Sequence, residues 1–290
     1  MKGIILAAGK GTRMYPMTLP VCKPLLPVYD KPLIYYPLAV LMQAGIRDIL
    51  IIVPPDEMYS FIKLLGDGAD FGVNLTYRIQ QEQRGIADAF CIGKTFIGDD
   101  DVCLVLGDNI LCGAGLNQAL HTAAAQNSGA TIFGYHVDDP RPFGVVEIGP
   151  DGRALSIEEK PARPKSNYAV PGVYFYDNSV VDVAGQIRPS ARGELEITTV
   201  NEHYLACGRL RVVRLEQPFT WLDAGNAQSL LSAANTIMRL QQSEGRLIAC
   251  LEEIAWRMGY IGDAALTACA KKLEKTAYGA YLQRLCEQGK

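Results

Sequence analysis

Gly9-Lys10-Gly11-Thr12-Arg13 is the stretch of this chain best suited to chemistry. Two glycines two apart let the backbone turn sharply and aim several N–H groups at one point. Such a nest suits an anion. Arg13 follows at once, and Lys23 returns on a loop punctuated by Pro16, Pro20, Pro24 and Pro27. A glycine turn with two cations reads as a phosphate site, against the plainer reading of a surface loop. Farther on, Asp108 ends the apolar run Val102–Leu106, where an open α/β sheet places its ligand crevice. It suits a metal or a ribose, or it simply closes the strand in an Asp-Asn turn. Glu158-Glu159-Lys160-Pro161 offers charge-assisted partners for hydroxyls and phosphate, or a solvated strand edge. Asp223, ahead of Gly225, is either a functional carboxylate or an N-cap for a helix starting near Ala227.

Two familiar glycine motifs are excluded. A dinucleotide fingerprint needs a third glycine where Met14 stands, and a Walker A loop needs a glycine where Ile4 stands. The net charge of −3 argues against a nucleic-acid partner, which calls for a basic surface. The eight cysteines contain no C-x-x-C pair and the three histidines stand apart from them, so a zinc site is not expected. Reduced thiols in a cytoplasmic protein are. Met1–Ala8 enters a strand directly, so a signal peptide is not expected, and no apolar run reaches the roughly eighteen residues a membrane span requires.

The elements that must position these residues alternate through the first half. Strands are expected at Gly3–Ala8, Asp48–Val53, Leu75–Ile79, Val102–Leu106 and Ala130–Tyr135, with helices at Ile34–Ala44, Glu57–Leu65, Ile86–Ile92 and Leu116–Gln126. Such alternation implies an α/β fold with a doubly wound, mostly parallel sheet. Gly144–Ile148 and Ala154–Glu158 flank Pro150-Asp151-Gly152 and read as an antiparallel hairpin insertion. A strand at Ala169–Tyr176, a helix at Leu195–Cys207, a strand at Leu210–Leu215 and a helix at Ala227–Leu240 follow. Only helical patterns remain from Leu251 to Lys290. We therefore expect a catalytic domain over residues 1–240 and a C-terminal helical extension over 241–290.

G-x-G-T-R-x-x-P-x-T followed by K-P-L-L-P closely resembles the sugar-1-phosphate nucleotidylyltransferases. The likeness runs essentially end to end. Y-D-K-P-L-I-Y-Y-P, L-G-D-N-I, E-E-K-P, A-R-G-E-L-E-I-T and C-x-E-E-I-A-W-R are similar to the short bacterial thymidylyltransferase branch, which has a Rossmann-like fold. There are departures: Ala8 and Lys10 replace Gly and Ser, Pro24 replaces Gln, Phe143 replaces Tyr and Pro171 replaces Thr.

The resemblance implies in-line transfer of a thymidylyl group from dTTP to glucose 1-phosphate, for deoxysugar synthesis of the dTDP-rhamnose type. Arg13, Lys23, Asp108, Lys160 and Asp223 would be catalytic, with Asp108 and Asp223 holding Mg²⁺. Leu6, Ala8, Gly9, Gly11, Thr12, Arg13, Gln80, Gly85 and Asp108 would bind the nucleotide. An amide donor and acceptor match the O4 and N3–H edge of thymine or uracil; pattern alone does not separate Gln80 from Gln81 or Gln83, and the resemblance selects Gln80. Lys23, Gly144, Glu159, Lys160, Val170, Gly172 and Arg192 would hold the sugar phosphate. The tail would be regulatory, through Gly113, Cys250, Glu253, Ile254 and Arg257, in a homotetramer. From helix geometry alone, Glu253 and Arg257 at i, i+4 spacing are no more than an exposed ion pair. A UTP-using uridylyltransferase and a non-catalytic nucleotide-sugar sensor are the alternative functions.

Overall fold

The computed structural model describes residues 1–216 and 218–288. β1 (Lys2–Leu6) leads through the glycine turn to a short hairpin, β2 (Pro27–Val28) and β3 (Lys31–Pro32). Then come α1 (Tyr35–Gln43), β4 (Asp48–Val53), α2 (Met58–Leu65), β5 (Asn74–Ile79), α3 (Asp88–Ile97) and β6 (Val102–Leu106). β7 (Asn109–Cys112), α4 (Leu116–Ala125) and β8 (Ala130–His136) follow. The second half holds β9 (Gly144–Ile148), β10 (Ala154–Glu159), β11 (Tyr168–Ala169), β12 (Val173–Tyr176), α5 (Val180–Gln186) and α6 (Ile197–Ala206). β13 (Leu210–Leu215), β14 (Thr220–Asp223), α7 (Ala227–Glu244), α8 (Leu251–Arg257), α9 (Asp263–Lys272) and α10 (Ala277–Gln288) complete it. The helical pattern expected to continue to Lys290 includes residues 289 and 290, which lie outside those described.

The α/β fold is as expected. The large sheet is ordered β10-β9-β11-β8-β12-β6-β1-β4-β5, with β13 also paired to β8. Its β6-β1-β4-β5 half is wholly parallel, and β13 adds parallel to β8. β12 runs antiparallel between β6 and β8, and β11 splices the β9-β10 hairpin onto the edge.

Alternation along the central strands sends successive side chains to opposite faces. Ile5, Ile49, Ile51, Cys103 and Val105 enter a core with α1, α2, α4 and α8; Ile4, Leu50, Ile52, Val102 and Leu104 enter another with α3, α5 and α6. Both faces are thus dry, and the crevice can open only at the strand ends.

Local departures from the expected elements have physical causes. α3 runs on past Ile92 because Gly93 is the point where helix meets sheet; a Cβ there would stand 2.9 Å from Ile4 Cδ1. The strand expected over Ala169–Tyr176 is broken in two. Pro171 has no N–H to give the ladder, and the Gly172 N–H turns to Asn109 Oδ1 at 2.9 Å. α6 starts at Ile197, not Leu195, since Leu195 pairs its backbone with Arg84 and Ala87. α7 extends beyond Leu240 to Glu244, because Gln241 is buried and accepts from Lys31 Nζ at 3.1 Å.

Candidate active site

Leu6 ends β1, paired to Leu106 on one side and Ile52 on the other. Ala7 and Ala8 stay buried, and the chain then escapes at Gly9. Gly11 has φ +62, the left-handed region glycine tolerates, and a short 3₁₀ turn over Thr12–Met14 follows. Buried Met14 anchors this turn in a cluster with Val28, Ile110 and Leu230, and Thr18 Oγ1 donates to the Gly11 carbonyl at 2.7 Å. Thr12 and Arg13 are left exposed. Backbone and cation therefore face outward from a pinned base.

Lys23 is buried and donates from Nζ to Asp108 Oδ2 at 2.6 Å. Asp108 begins a feature not foreseen in the sequence: β7 and β14 pair antiparallel as a two-stranded ribbon, with Asn109 opposite Asp223. The ribbon brings the two carboxylates together across 115 residues of chain. Asp223 is no N-cap; that place belongs to Asn226, which shares a capping box with Ser229. Instead Asp223 Oδ2 accepts from Gly225 N at 3.0 Å, and a Cβ at Gly225 would meet that oxygen at 2.5 Å. Burial pushes the Asp223 carboxyl above its ordinary range and the charge of Asp108 adds to the push, with Lys23, the Gly225 N–H and Arg13 opposing.

No cluster of three or more His, Cys, Asp or Glu among the described residues could enclose a metal. The pair of carboxylates nonetheless fits a hard cation that completes its shell from phosphates and water. A divalent ion would relieve the like-charge burial that raises Asp223.

The other wall comes from the hairpin. Glu159, at the end of β10, accepts from Thr198 Oγ1 at 2.6 Å. Lys160 Nζ lies 3.7 Å from its Oε1 and Arg192 Nη2 3.6 Å. Gly144 sits opposite Glu159 in register, and its missing side chain leaves that carboxylate uncovered. Lys160 has φ +44, an uncommon conformation for a lysine that aims the residue off the hairpin.

Arg13, Asp108, Gly144, Glu159, Lys160, Val170, Gly172 and Asp223 all line one cleft of about 260 Å³. Lys23 and Arg192 adjoin it through Asp108 and Glu159. Arg192 mainly grips Glu196, at 2.8 and 2.9 Å. Gly9, Gly11, Thr12, Gln80 and Gly85 do not line this cleft; they belong to the neighbouring turn and the loop after β5. Gln83 Nε2 straps that loop to the Ala8 carbonyl at 3.0 Å. Gln80 is buried. Gly85, at φ +105, lies so close to Leu195 that a Cβ would approach its backbone at 2.5 Å.

Sequence reasoning assigned no site role to Asn109, Trp221, Thr198 or Asn201, all of which line the cleft. Asn109 is a hub. Its Nδ2 donates to Asp108 Oδ1 at 3.0 Å, while its Oδ1 accepts from Gly172 N and from Trp221 Nε1 at 2.7 Å. Trp221 packs edge-on to Phe143, ring centroids 4.8 Å apart.

A second cavity of about 210 Å³ is lined by Gly113, Arg246, Cys250, Glu253, Ile254 and Arg257, among others. All five tail and loop residues singled out from the sequence stand there. Arg257 Nε donates to Glu253 Oε1 at 2.7 Å. The pair is not merely a surface one, because Glu253 is buried and also accepts from Tyr281 Oη at 2.6 Å.

The nucleotidyl transferase family pattern matches residues 2–239. The glucose-1-phosphate thymidylyltransferase of Neisseria meningitidis is 56% identical over 99% of this chain and 100% of its own length. That of Mycobacterium tuberculosis is 53% identical over 99% and 100% respectively. A solved structure from Bacillus anthracis, of a candidate glucose-1-phosphate thymidylyltransferase with sucrose, superposes with a TM-score of 0.76 at 42% identity, covering 81% of this chain and 94% of its own. A UDP-glucose pyrophosphorylase complexed with UDP-glucose, 22% identical, shares the fold at a TM-score of 0.73 over 82% of this chain and 98% of its own. The chain belongs to the nucleotidyl transferase family and groups there with the glucose-1-phosphate thymidylyltransferases.

Proposed function

We propose that the protein transfers a thymidylyl group from dTTP to glucose 1-phosphate, giving dTDP-glucose and pyrophosphate. One observation carries the reading: Arg13, Asp108, Glu159, Lys160 and Asp223 surround a single cleft in a chain that matches thymidylyltransferases end to end. The UTP-using and non-catalytic alternatives find no comparable support, since the UDP-glucose relative speaks for the fold alone.

In this mechanism an oxygen of the sugar 1-phosphate attacks the α-phosphorus of dTTP in line, and the bond to the leaving pyrophosphate breaks. The attacking phosphate is already ionised at neutral pH, so no general base is required. Catalysis is positioning and electrostatics. The Gly9–Thr12 turn and Arg13 hold the leaving pyrophosphate, with Leu6 and Ala8 beneath. Lys23 meets charge at the α-phosphate. Gln80 and Gly85 take the base. Glu159, Gly144, Val170 and Gly172 take the sugar, and Lys160 with Arg192 its phosphate. Asp108 and Asp223 would hold Mg²⁺, which when bound supplies a Lewis acid that screens the two phosphates from each other.

The finer readings belong to the same proposal: a cytoplasmic homotetramer, controlled through the second cavity by a dTDP-deoxysugar of the rhamnose type. Arg246 and Arg257 supply that cavity with cations for a diphosphate. The test of the activity is pyrophosphate release over a panel of dTTP and UTP with several sugar 1-phosphates. Preference for dTTP with glucose 1-phosphate is expected; release with neither nucleotide would overturn the reading.

A further inference from the structure

Gln80 follows β5, and its Nε2 donates to Asp88 Oδ2 at 3.0 Å. Asp88, first residue of α3, is only 4% exposed. Its other oxygen, Oδ1, accepts from Arg84 Nη2 at 2.8 Å, so both carboxylate oxygens are already spent on donors. Gln80 Oε1 makes no hydrogen bond to the described residues. No fully buried side-chain oxygen or nitrogen among those residues lacks a partner, so Oε1 keeps some accessible surface.

A carboxamide has an accepting and a donating end of nearly the same shape. A free glutamine reads either kind of partner by turning over. Gln80 is denied that choice. An ionised carboxylate only accepts, so turning Oε1 onto Asp88 would bring two acceptors together in a buried place.

We propose that Asp88 fixes the sense of the Gln80 amide and thereby makes the base pocket select a pyrimidine that donates its N3–H. This rests on the reading of Gln80 as the base contact. Held this way, the amide offers Oε1 as acceptor and its second Nε2 hydrogen as donor. Thymine and uracil answer with N3–H and O4. Cytosine reverses both, since its N3 accepts and its N4 donates. The device therefore sorts dione rings from aminopyrimidines and is blind to the 5-methyl group. Asp88 touches no substrate; it is a positioning residue.

Asp88→Asn puts a carboxamide against Gln80 that can accept or donate, which frees the amide to turn over. The readout is the ratio of kcat/KM for dTTP to that for dCTP, from pyrophosphate release with glucose 1-phosphate. Asp88→Asn is expected to lower this preference about tenfold, the scale of one well-made hydrogen bond. The dTTP-to-dUTP ratio is expected to hold, because both bases present the same edge. Gln80→Ala, measured alongside, separates the two readings. If Gln80→Ala lowers the preference and Asp88→Asn retains it, the role of Asp88 is overturned while the base contact stands. An unchanged preference in Gln80→Ala overturns both. A dTTP-to-dUTP ratio that shifts together with the dCTP ratio means general damage to the pocket and also overturns the proposal. Should Asp88→Asn fail to fold, Arg84→Gln loosens the same carboxylate from an exposed position. A fall of about threefold is expected there, and an unchanged ratio rejects the idea.

Discussion

The hairpin wall of the cleft and the glycine turn beside the cleft are made in different ways. On the side of β1 and the parallel strands, the groups on offer are backbone N–H and one arginine, presented by a turn. That turn is set by Gly11, buried Met14 and the Thr18 hydrogen bond. On the hairpin side the groups are side chains, and they restrain one another: Glu159 is held by Thr198 and flanked by Lys160 and Arg192. In the proposed reaction the backbone turn would take what every nucleoside triphosphate shares, the polyphosphate. Side chains can be retuned residue by residue, which would suit the partner that varies, the sugar. The β7-β14 ribbon positions both carboxylates, with Asp108 just ahead of β7 and Asp223 at the end of β14.

The ribbon gives the largest expected effect. Asp223→Asn should cost about 3 kcal/mol of transition-state stabilisation, roughly a hundredfold in rate, because it alters one of the two carboxylates that would hold the cation in the proposed mechanism. Its stability should move the other way. The fold raises the Asp223 pKa, so the fold favours the protonated form. That advantage is complete below the ordinary value of 3.8 and is lost as pH rises through the raised one. At neutral pH, without metal, the buried charge is a burden that asparagine does not carry. Thermal melting at pH 7 should therefore rise in the variant, with the gain fading toward pH 4. An equal or lower Tm at pH 7 would contradict this account.

Asn109→Ala tests whether the walls share a hinge. It strands the Gly172 N–H and Trp221 Nε1–H, an expected loss of about 2 kcal/mol in denaturant unfolding. Activity should fall about tenfold as Asp108 loses its Nδ2 partner. Unfolding at the wild-type midpoint would mean that the hub is dispensable.

Next, Lys160→Ala and Gly11→Ala should split the substrates. The lysine change should raise the KM for sugar 1-phosphate about tenfold with little effect on dTTP. The glycine change, which forces a Cβ to φ +62 within 3.2 Å of Lys23 Cβ, should act mainly on dTTP and cost about 1 kcal/mol of stability. Equal effects on both substrates in either variant would erase the distinction between the walls.

The smallest effect lies away from the cleft. Arg257→Ala should leave turnover without effector near wild type, while inhibition by dTDP-rhamnose loses a coupling of about 1–3 kcal/mol and becomes purely competitive with dTTP. Unaltered mixed inhibition would place the effector elsewhere.

What could be read from the sequence was whatever is local in the chain. The glycine turn, the strand ending at Leu106 and the hairpin around Asp151-Gly152 declare themselves within a few residues. Gln241 did not, because its reason to extend α7 is Lys31 at a separation of 210 residues. Asn109 looks like half of an ordinary Asp-Asn turn until Gly172 and Trp221 arrive from 63 and 112 residues away. Asp88 has the opposite problem. Its partners are only four and eight residues off, yet an aspartate opening a helix already has a sufficient local explanation. The break at Pro171 was legible in principle, since proline rarely sits inside a paired strand. The apolar run through Tyr176 outweighed it.

α8 places Leu251 and Ala255, both without exposed surface, in the same core as Ile5 and Ile51. Removing a leucine side chain from such a site typically costs about 2–5 kcal/mol, and cutting the whole helix away would lay bare the flank of α1. A shortened chain would therefore come out of the cell as aggregate, and its silence would be mistaken for evidence that the tail takes part in turnover. The proposed feedback is therefore to be tested by single substitutions at the second cavity, because α8 lines that cavity and fills the core at once.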